Sequence, residues 1–251
     1  MSQVVDLRTG EVVGHSEEVA FASPGVSSLD VTAGHARLGF SPATNSWRFA
    51  VSTPGYAVTL RQEPTKPYAL HGGGTGLIRQ SFAGASHYYS STRMRATGTL
   101  RVGRRTVALT GESWLDHQWG NFRDDPRAYN WDWFSCRYDD GSELMLYQFR
   151  DRTTGAPLVR FRNGTFVARD GRTTGVTSFS AVHGPRALVA AGRRWPLDWR
   201  LSVPALGLAD TVRAIVPDQL VRNSVVPTFW EGASNATGTR AGTCFVELSY
   251  R

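Results

Sequence analysis

Trp114-Leu115-Asp116-His117-Gln118-Trp119-Gly120, followed after a polar loop by Asn130-Trp131-Asp132-Trp133-Phe134, is the stretch on which the reading of this chain turns. It holds four of the eight tryptophans, with Asp116, Asp132 and His117, inside 21 residues. Ionisable groups beside indole rings are costly to bury unless partnered. Such a stretch therefore lines a pocket wall or forms a polar knot inside a β-barrel. Read as strands, His117 and Trp119 share one face and Asp116 and Gln118 the other; Trp131 and Trp133 oppose Asp132 and Phe134. If the two strands pair, their register decides which of these groups meet, and the sequence leaves that register open.

Outward from this stretch the texture is β. Ala36–Phe40, Trp47–Val51 and Tyr56–Gln62 alternate apolar and polar residues between Gly, Pro and Asn turns, the signal of half-buried antiparallel strands. Gly103-Arg104-Arg105 sits between Gly98–Val102 and Thr106–Thr110 and reads as a hairpin. Later segments continue the pattern: Glu143–Arg150, Leu158–Arg162, Gly164–Arg169, Val176–Ala181, Trp199–Val203, Thr211–Val216, Phe229–Gly232 and Cys244–Tyr250. Asp139-Asp140-Gly141, Arg162-Asn163-Gly164 and Asp170-Gly171 read as turns between them. The lead-in, residues 1–28, is weakly patterned, with one strand expected around Glu18–Phe21. The sum is an all-β chain of short strands, spaced as in sandwiches or barrels. No βαβ rhythm supports a doubly wound nucleotide-binding fold. The run His71-Gly72-Gly73-Gly74-Thr75-Gly76 lacks the Lys-Ser/Thr and the following helix of a phosphate loop, and reads as a loop over a barrel mouth.

Composition narrows the function classes. A chain of 251 residues allows one large β domain or two modest ones, and 41% hydrophobic residues supply a substantial core. The net charge is +7, carried almost wholly by dispersed arginines, with Lys66 the only lysine. No nucleic-acid-binding motif accompanies that charge, so nucleic acid is not an expected partner, whereas an acidic small molecule stays open. No apolar run is long enough to span a membrane. Asp6, Arg8, Glu11, Glu17 and Glu18 interrupt any signal-peptide core, and a cytoplasmic location is the expectation. In that compartment Cys136 and Cys244 are expected as reduced, packed thiols lining one interior.

The chemistry readable from the residues is proton transfer in an aromatic cavity. A histidine near a carboxylate serves as donor or acceptor near neutral pH. A buried Asp116 or Asp132 would have a raised pKa and act as an acid. Indole and phenol faces stabilise a developing carbocation or clamp a conjugated chain. The alternative is structural: tryptophans filling a core and an Asp-His pair bracing a strand. His87, His117 and Asp116 have no recognised metal-ligand spacing, so no metal is expected. No Gly-x-Ser-x-Gly elbow points to a serine hydrolase.

Several ordered motifs carry a resemblance. Lys66-Pro67 with His71-Gly72, Tyr88–Arg93, Gly111–Gly120, Trp131–Phe134, Asp140–Met145 and Phe229-Trp230-Glu231-Gly232 are similar to the hydroxyneurosporene synthase (carotenoid hydratase) and AttH-like superfamily. The resemblance implies two lipocalin-like antiparallel β-barrels in tandem with a ligand cavity near their junction, and no cofactor. It covers about residue 60 to the C-terminus. The opening Glu-Trp-Trp-Tyr strand usual in the family has no counterpart, which implies a shortened first barrel, either open or closed by a partner strand, as in a homodimer. Domains are accordingly expected at 1–110 and 111–251. In the family's hydratases the histidine and tryptophan of Asp-His-x-Trp-Gly matter for activity, here His117 and Trp119. A later tyrosine and aspartate matter too, and both Tyr138/Asp140 and Tyr147/Asp151 fit.

The expected site therefore holds His117, Asp116, Asp132 and Tyr147 as catalytic residues. Trp119, Trp131, Trp133, Tyr89, His87, Arg93 and Trp230 are expected to bind substrate. His117 and Trp119 are expected to face the cavity, with Asp116 bracing from behind. The first expectation for function is a cofactor-free cyclase of the pericyclase or Diels–Alderase type in natural-product biosynthesis, acting on a hydrophobic polyene or polyketide by preorganisation in an aromatic pocket with hydrogen-bond activation. A hydratase or proton-initiated isomerase is the second, and a non-catalytic carrier of apolar ligands the third.

Overall fold

A computed structural model describes residues 1–18, 20, 23–24, 29–80, 84–121, 129–222 and 228–250. The strand expected around Glu18–Phe21 falls partly outside them. The strands run in chain order as β1 (Ser2–Asp6), β2 (Glu11–Ser16), β3 (Ser23–Pro24), β4 (Asp30–Ala33), β5 (Ala36–Ser41), β6 (Ser46–Ser52), β7 (Tyr56–Pro64), β8 (Ala69–Leu70), β9 (Leu77–Gln80), β10 (Gly84–Val102), β11 (Arg105–Gly120), β12 (Tyr129–Tyr138), β13 (Glu143–Asp151), β14 (Asn163–Val167), β15 (Thr173–Gly175), β16 (Ser180–His183), β17 (Ala187–Ala190), β18 (Arg193–Pro196), β19 (Asp198–Val203), β20 (Leu208–Ala214), β21 (Leu220–Val221), β22 (Phe229–Gly238) and β23 (Gly242–Ser249). Helix is confined, among the described residues, to three single 3-10 turns. The fold is all-β, as the alternation requires, and none of the helices could cross a membrane.

The chain forms two compact units: residues 1–67 with 91–115, and residues 68–90 with 116–251. The long strands β10 and β11 contribute residues to both. In the first unit an antiparallel sheet runs β11-β10-β7-β6-β5-β4-β3. Its alternation buries Trp47, Val51, Tyr56, Met94 and Ala96. The β1–β2 hairpin lies against Tyr56, whose hydroxyl hydrogen-bonds Ser16 Oγ at 3.1 Å. Gly14 permits that contact, because a Cβ there would stand 2.7 Å from the tyrosine ring.

The second unit is built on a sheet ordered β15-β14-β13-β12-β23-β22-β20-β19-β16, with β8 and β9 paired to the start of β10. One face of the sheet carries the core: Phe134, Tyr138, Leu144, Leu146, Trp199, Leu201, Trp230, Val246 and Leu248 are all almost fully buried. Cys136 and Cys244 belong to this face and stand directly opposite each other on β12 and β23. They form a disulfide, which corrects the expectation of two reduced thiols. Both do line one interior, but the register brings them into bonding contact. Leu158–Arg162 is not a strand either. It holds a 3-10 turn at Val159–Phe161, with Arg160 over the Phe161 ring and Arg162 reaching the Phe179 carbonyl. Asn163 and Gly164 open β14 in place of a turn; Gly164 leaves room there for Leu146, which a Cβ would meet at 2.5 Å.

Candidate functional site

Register supplies what the sequence withholds. In the second unit, five residues of five neighbouring strands stand in one row across the sheet: Asn163, Tyr147, Trp133, Glu247 and Glu231. Period two puts this row on the face opposite the core. Trp131 lies two residues along β12 on the same face, and its indole N–H donates to Glu247 Oε1 at 2.7 Å. Two glutamates directly across neighbouring strands repel when both are ionised. Burial raises the Glu231 carboxyl to about 7, with the charge of Glu247 adding to the effect. Burial also raises Glu247; the Trp131 N–H opposes that shift and Asp116 reinforces it. The arrangement favours a single shared negative charge near neutral pH.

Asp116 enters the site through two hydrogen-bond chains. Trp133 Nε1 can only donate, and does so to Tyr88 Oη at 3.2 Å. The phenol proton is then free for Asp116, to which Tyr88 also hydrogen-bonds. In the second chain Ser90 hydrogen-bonds Asp116, His71 Nε2 lies 2.7 Å from Ser90 Oγ, and His71 Nδ1 lies 2.8 Å from Thr165 Oγ1. With Asp116 ionised, Ser90 spends its one proton there, so its oxygen accepts from His71 Nε2–H. Nδ1 is then bare and accepts from Thr165. Both chains donate toward Asp116, which keeps access to solvent. His71 is completely buried, which pulls its pKa down to about 3 and keeps it neutral. Burial first, and Asp116 second, push the Tyr88 phenol well above its ordinary value.

The residues expected from sequence divide. Trp131, Trp133 and Tyr147 share the acid-bearing face, and Asp116 joins it through Tyr88 and Ser90. Asp132 points to the core face, fully buried, where it accepts from Gln148 at 2.8 Å, Arg150 at 2.5 Å and Tyr250 at 2.9 Å. Trp230 is also on the core side, and its indole donates to the Pro217 carbonyl at 2.9 Å. His117 and Trp119 lie on the exposed face of β11, not behind the acid row; Trp119 is 46% exposed. They form an aromatic patch with His87 and Tyr89, in which Trp119 stacks on His87 and His117 Nδ1 lies 3.0 Å from Tyr89 Oη. Arg93, in the first unit, pairs with Glu112 at 2.9 Å. Tyr138 and Asp140 sit at the far end of β12, where Arg240 ties Asp140 at 2.7 Å, and Asp151 caps the turn after β13.

Sequence reasoning missed Glu231, Glu247, Tyr88, His71 and Ser90 as site residues. A signal for the first two existed. Glu231 follows Trp230 and Glu247 alternates with Val246 and Leu248, so both sit opposite a core-facing apolar residue. Among the described residues no three His, Cys, Asp or Glu side chains cluster as a metal would need.

The fold recurs in solved structures. An AttH protein of Nitrosomonas europaea is 26% identical, over 88% of this chain and 70% of that one, with a TM-score of 0.79. Kievitone hydratase of Nectria haematococca is 19% identical, over 99% of this chain and 78% of that one, with a TM-score of 0.77, a likeness of fold. No curated protein matches the sequence. The AttH-like family model matches residues 4–250, nearly the whole chain, and the protein is a member of the AttH-like family.

Proposed function

We propose that this protein is a cofactor-independent enzyme that protonates an alkene of a hydrophobic polyene, as a hydratase or proton-initiated isomerase. The observation that carries the reading is the Glu231–Glu247 pair, held opposite each other in a row with Trp133 and Tyr147. A carboxyl raised to about 7 keeps a large protonated fraction at neutral pH and is a competent general acid. The Glu231 proton goes to one alkene carbon, whose new C–H bond takes the π pair. The other carbon becomes a cation that the faces of Trp131 and Trp133 stabilise. Water adds its oxygen to that carbon, and its proton passes to the ionised partner of the pair. Loss of a neighbouring proton instead gives the isomer. The hydratase among the proteins of this fold agrees with such chemistry.

A pericyclic cyclisation, the first expectation from sequence, transfers no proton to carbon and would use the acid pair only to hydrogen-bond the substrate. An apolar carrier leaves it idle. Incubation with candidate polyenes in heavy water separates the three. Hydration adds the mass of water and fixes one deuterium on carbon; isomerisation fixes deuterium without adding water. Glu231→Gln and Glu247→Gln are each expected to lower the rate about 100-fold or more. A rearranged product free of deuterium would sink proton transfer and restore the cyclase, and a ligand recovered unchanged would make the protein a carrier.

A further inference from the structure

The first unit carries a feature unrelated to the acid pair. Its polar face holds a trough of about 750 Å³, a volume suited to a small ligand. Register builds it from two adjacent rows. One runs Asp30, Gly39, Arg48, Arg61, Thr97; the other runs Thr32, Arg37, Ala50, Thr59, Thr99. Gly39 and Ala50 form the depression because they offer almost no side chain. Three arginines stand around it, all lining the trough.

A solvated sheet face usually alternates its charges, and like charges directly opposite each other destabilise a strand pair. Here Arg48 and Arg61 are direct cross-strand partners. Arg61 is held by Glu63 through Nε at 3.1 Å and Nη2 at 3.0 Å, and Arg37 by Asp30 through Nε at 2.9 Å. Each guanidinium has five N–H groups, so both are oriented with donors to spare. The Arg48 side chain makes no hydrogen bond or ion pair among the described residues. Hydroxyls of Thr59 and Thr99, 3.0 Å apart, lie beside the arginines.

We propose that this trough binds the phosphate monoester of a small molecule, with Arg48 as the principal contact and Arg37 and Arg61 as preoriented flanks. Guanidinium forks match phosphate oxygens two at a time, and a dianion suits several of them better than a carboxylate does. The organic part of the ligand occupies the rest of the trough.

The test is titration of the full chain with phenyl phosphate, followed by calorimetry, beside vesicles of phosphatidylcholine with and without phosphatidic acid. Saturable one-to-one binding is expected, weakened about tenfold or more by Arg48→Ala and by Gly39→Leu, which fills the trough. A Cβ at Gly39 meets nothing closer than 3.7 Å, so a side chain can start there without a clash, and a far-UV circular dichroism spectrum matching the wild type confirms that the variant folds. Binding of the soluble ester without the vesicles identifies a free metabolite. Arg48-dependent binding of phosphatidic acid vesicles alone identifies a lipid headgroup with the same chemistry. No binding, binding indifferent to both variants, or binding of a DNA duplex in place of the esters overturns the proposal.

Discussion

At the scale of single residues, Glu231 and His71 place opposite demands on pH. Glu231 titrates at about 7 in the folded protein against an ordinary 4.5, so the folded state holds this proton more tightly than the unfolded chain. The stability it contributes is complete below about pH 4.5 and lost as pH rises through about 7. Glu231→Gln cannot ionise. It is expected to melt higher than the wild type at pH 8, match it near pH 4, and lose turnover, the signature of a group kept for function at a cost in stability. Thermal melts at the two pH values check this. For His71 the sign reverses. Its folded value of about 3 lies below 6.5, so its contribution is present above about pH 6.5 and lost as pH falls toward 3. His71→Gln, which never becomes a cation, is expected to flatten the fall in Tm between these values. Equal acid sensitivity in the two proteins would show that another group controls it. Trp131 and Trp133 were legible as sharing one face, because residues two apart on a strand point the same way. Glu231 and Glu247 were not singled out, because one carboxylate in an alternating strand reads as the solvent side unless the register sets a second beside it.

At the scale of elements, the glycines of the two tryptophan motifs explain spacing that composition alone leaves mute. Gly120 ends β11 where a Cβ would stand 2.3 Å from the Ala85 carbonyl oxygen, so the backbones of β10 and β11 approach there only without a side chain. Gly232 lies under the Trp230 ring, 2.4 Å from where its Cβ would be, and beside the Gln219 amide at 2.5 Å. Gly120→Ala and Gly232→Ala are each expected to cost about 1–3 kcal/mol in urea unfolding. Gly111→Ala, in the same strand as Gly120 but with nothing within 4 Å, is expected to be neutral or slightly stabilising. Equal losses in all three would mean that strand entropy, not close approach, governs these positions. The hairpin at Gly103 was readable from its turn residues, since Gly103 does take a left-handed φ of 56°. The full length of its arms was not. Residues 84–102 and 105–120 form single strands of 19 and 16 residues, but their Ser, Thr and Arg positions interrupt the apolar alternation. Leu158–Arg162 misled for the opposite reason: its alternation is local, and Arg162 turns inward to Gln148 and Phe179 instead of laddering.

At the scale of the whole molecule, the all-β class followed from periodicity, but the division of the chain did not. Two units in which 68–90 joins 116–251 cannot be found by looking for one boundary, because the long strands β10 and β11 each contribute to both. The same non-locality hid the covalent link. Cys136 and Cys244 are 108 residues apart, on strands whose adjacency depends on the order of the sheet. Reducing a bond that closes so long a loop releases the unfolded chain and is expected to cost roughly 2–5 kcal/mol. Thiol titration of the denatured, unreduced protein should find no free cysteine, and Cys136→Ser or treatment with dithiothreitol should lower the urea midpoint. The bond lies within the core of the second unit, so the loss should reach the acid row on the other face of the same sheet. Reduced protein is therefore expected to lose the elevated titration of Glu231 along with its melting temperature, followed by carbon NMR of labelled glutamate. Two titratable thiols in the native protein, with melting unchanged by dithiothreitol, would return the pair to the packed thiols that its composition suggests.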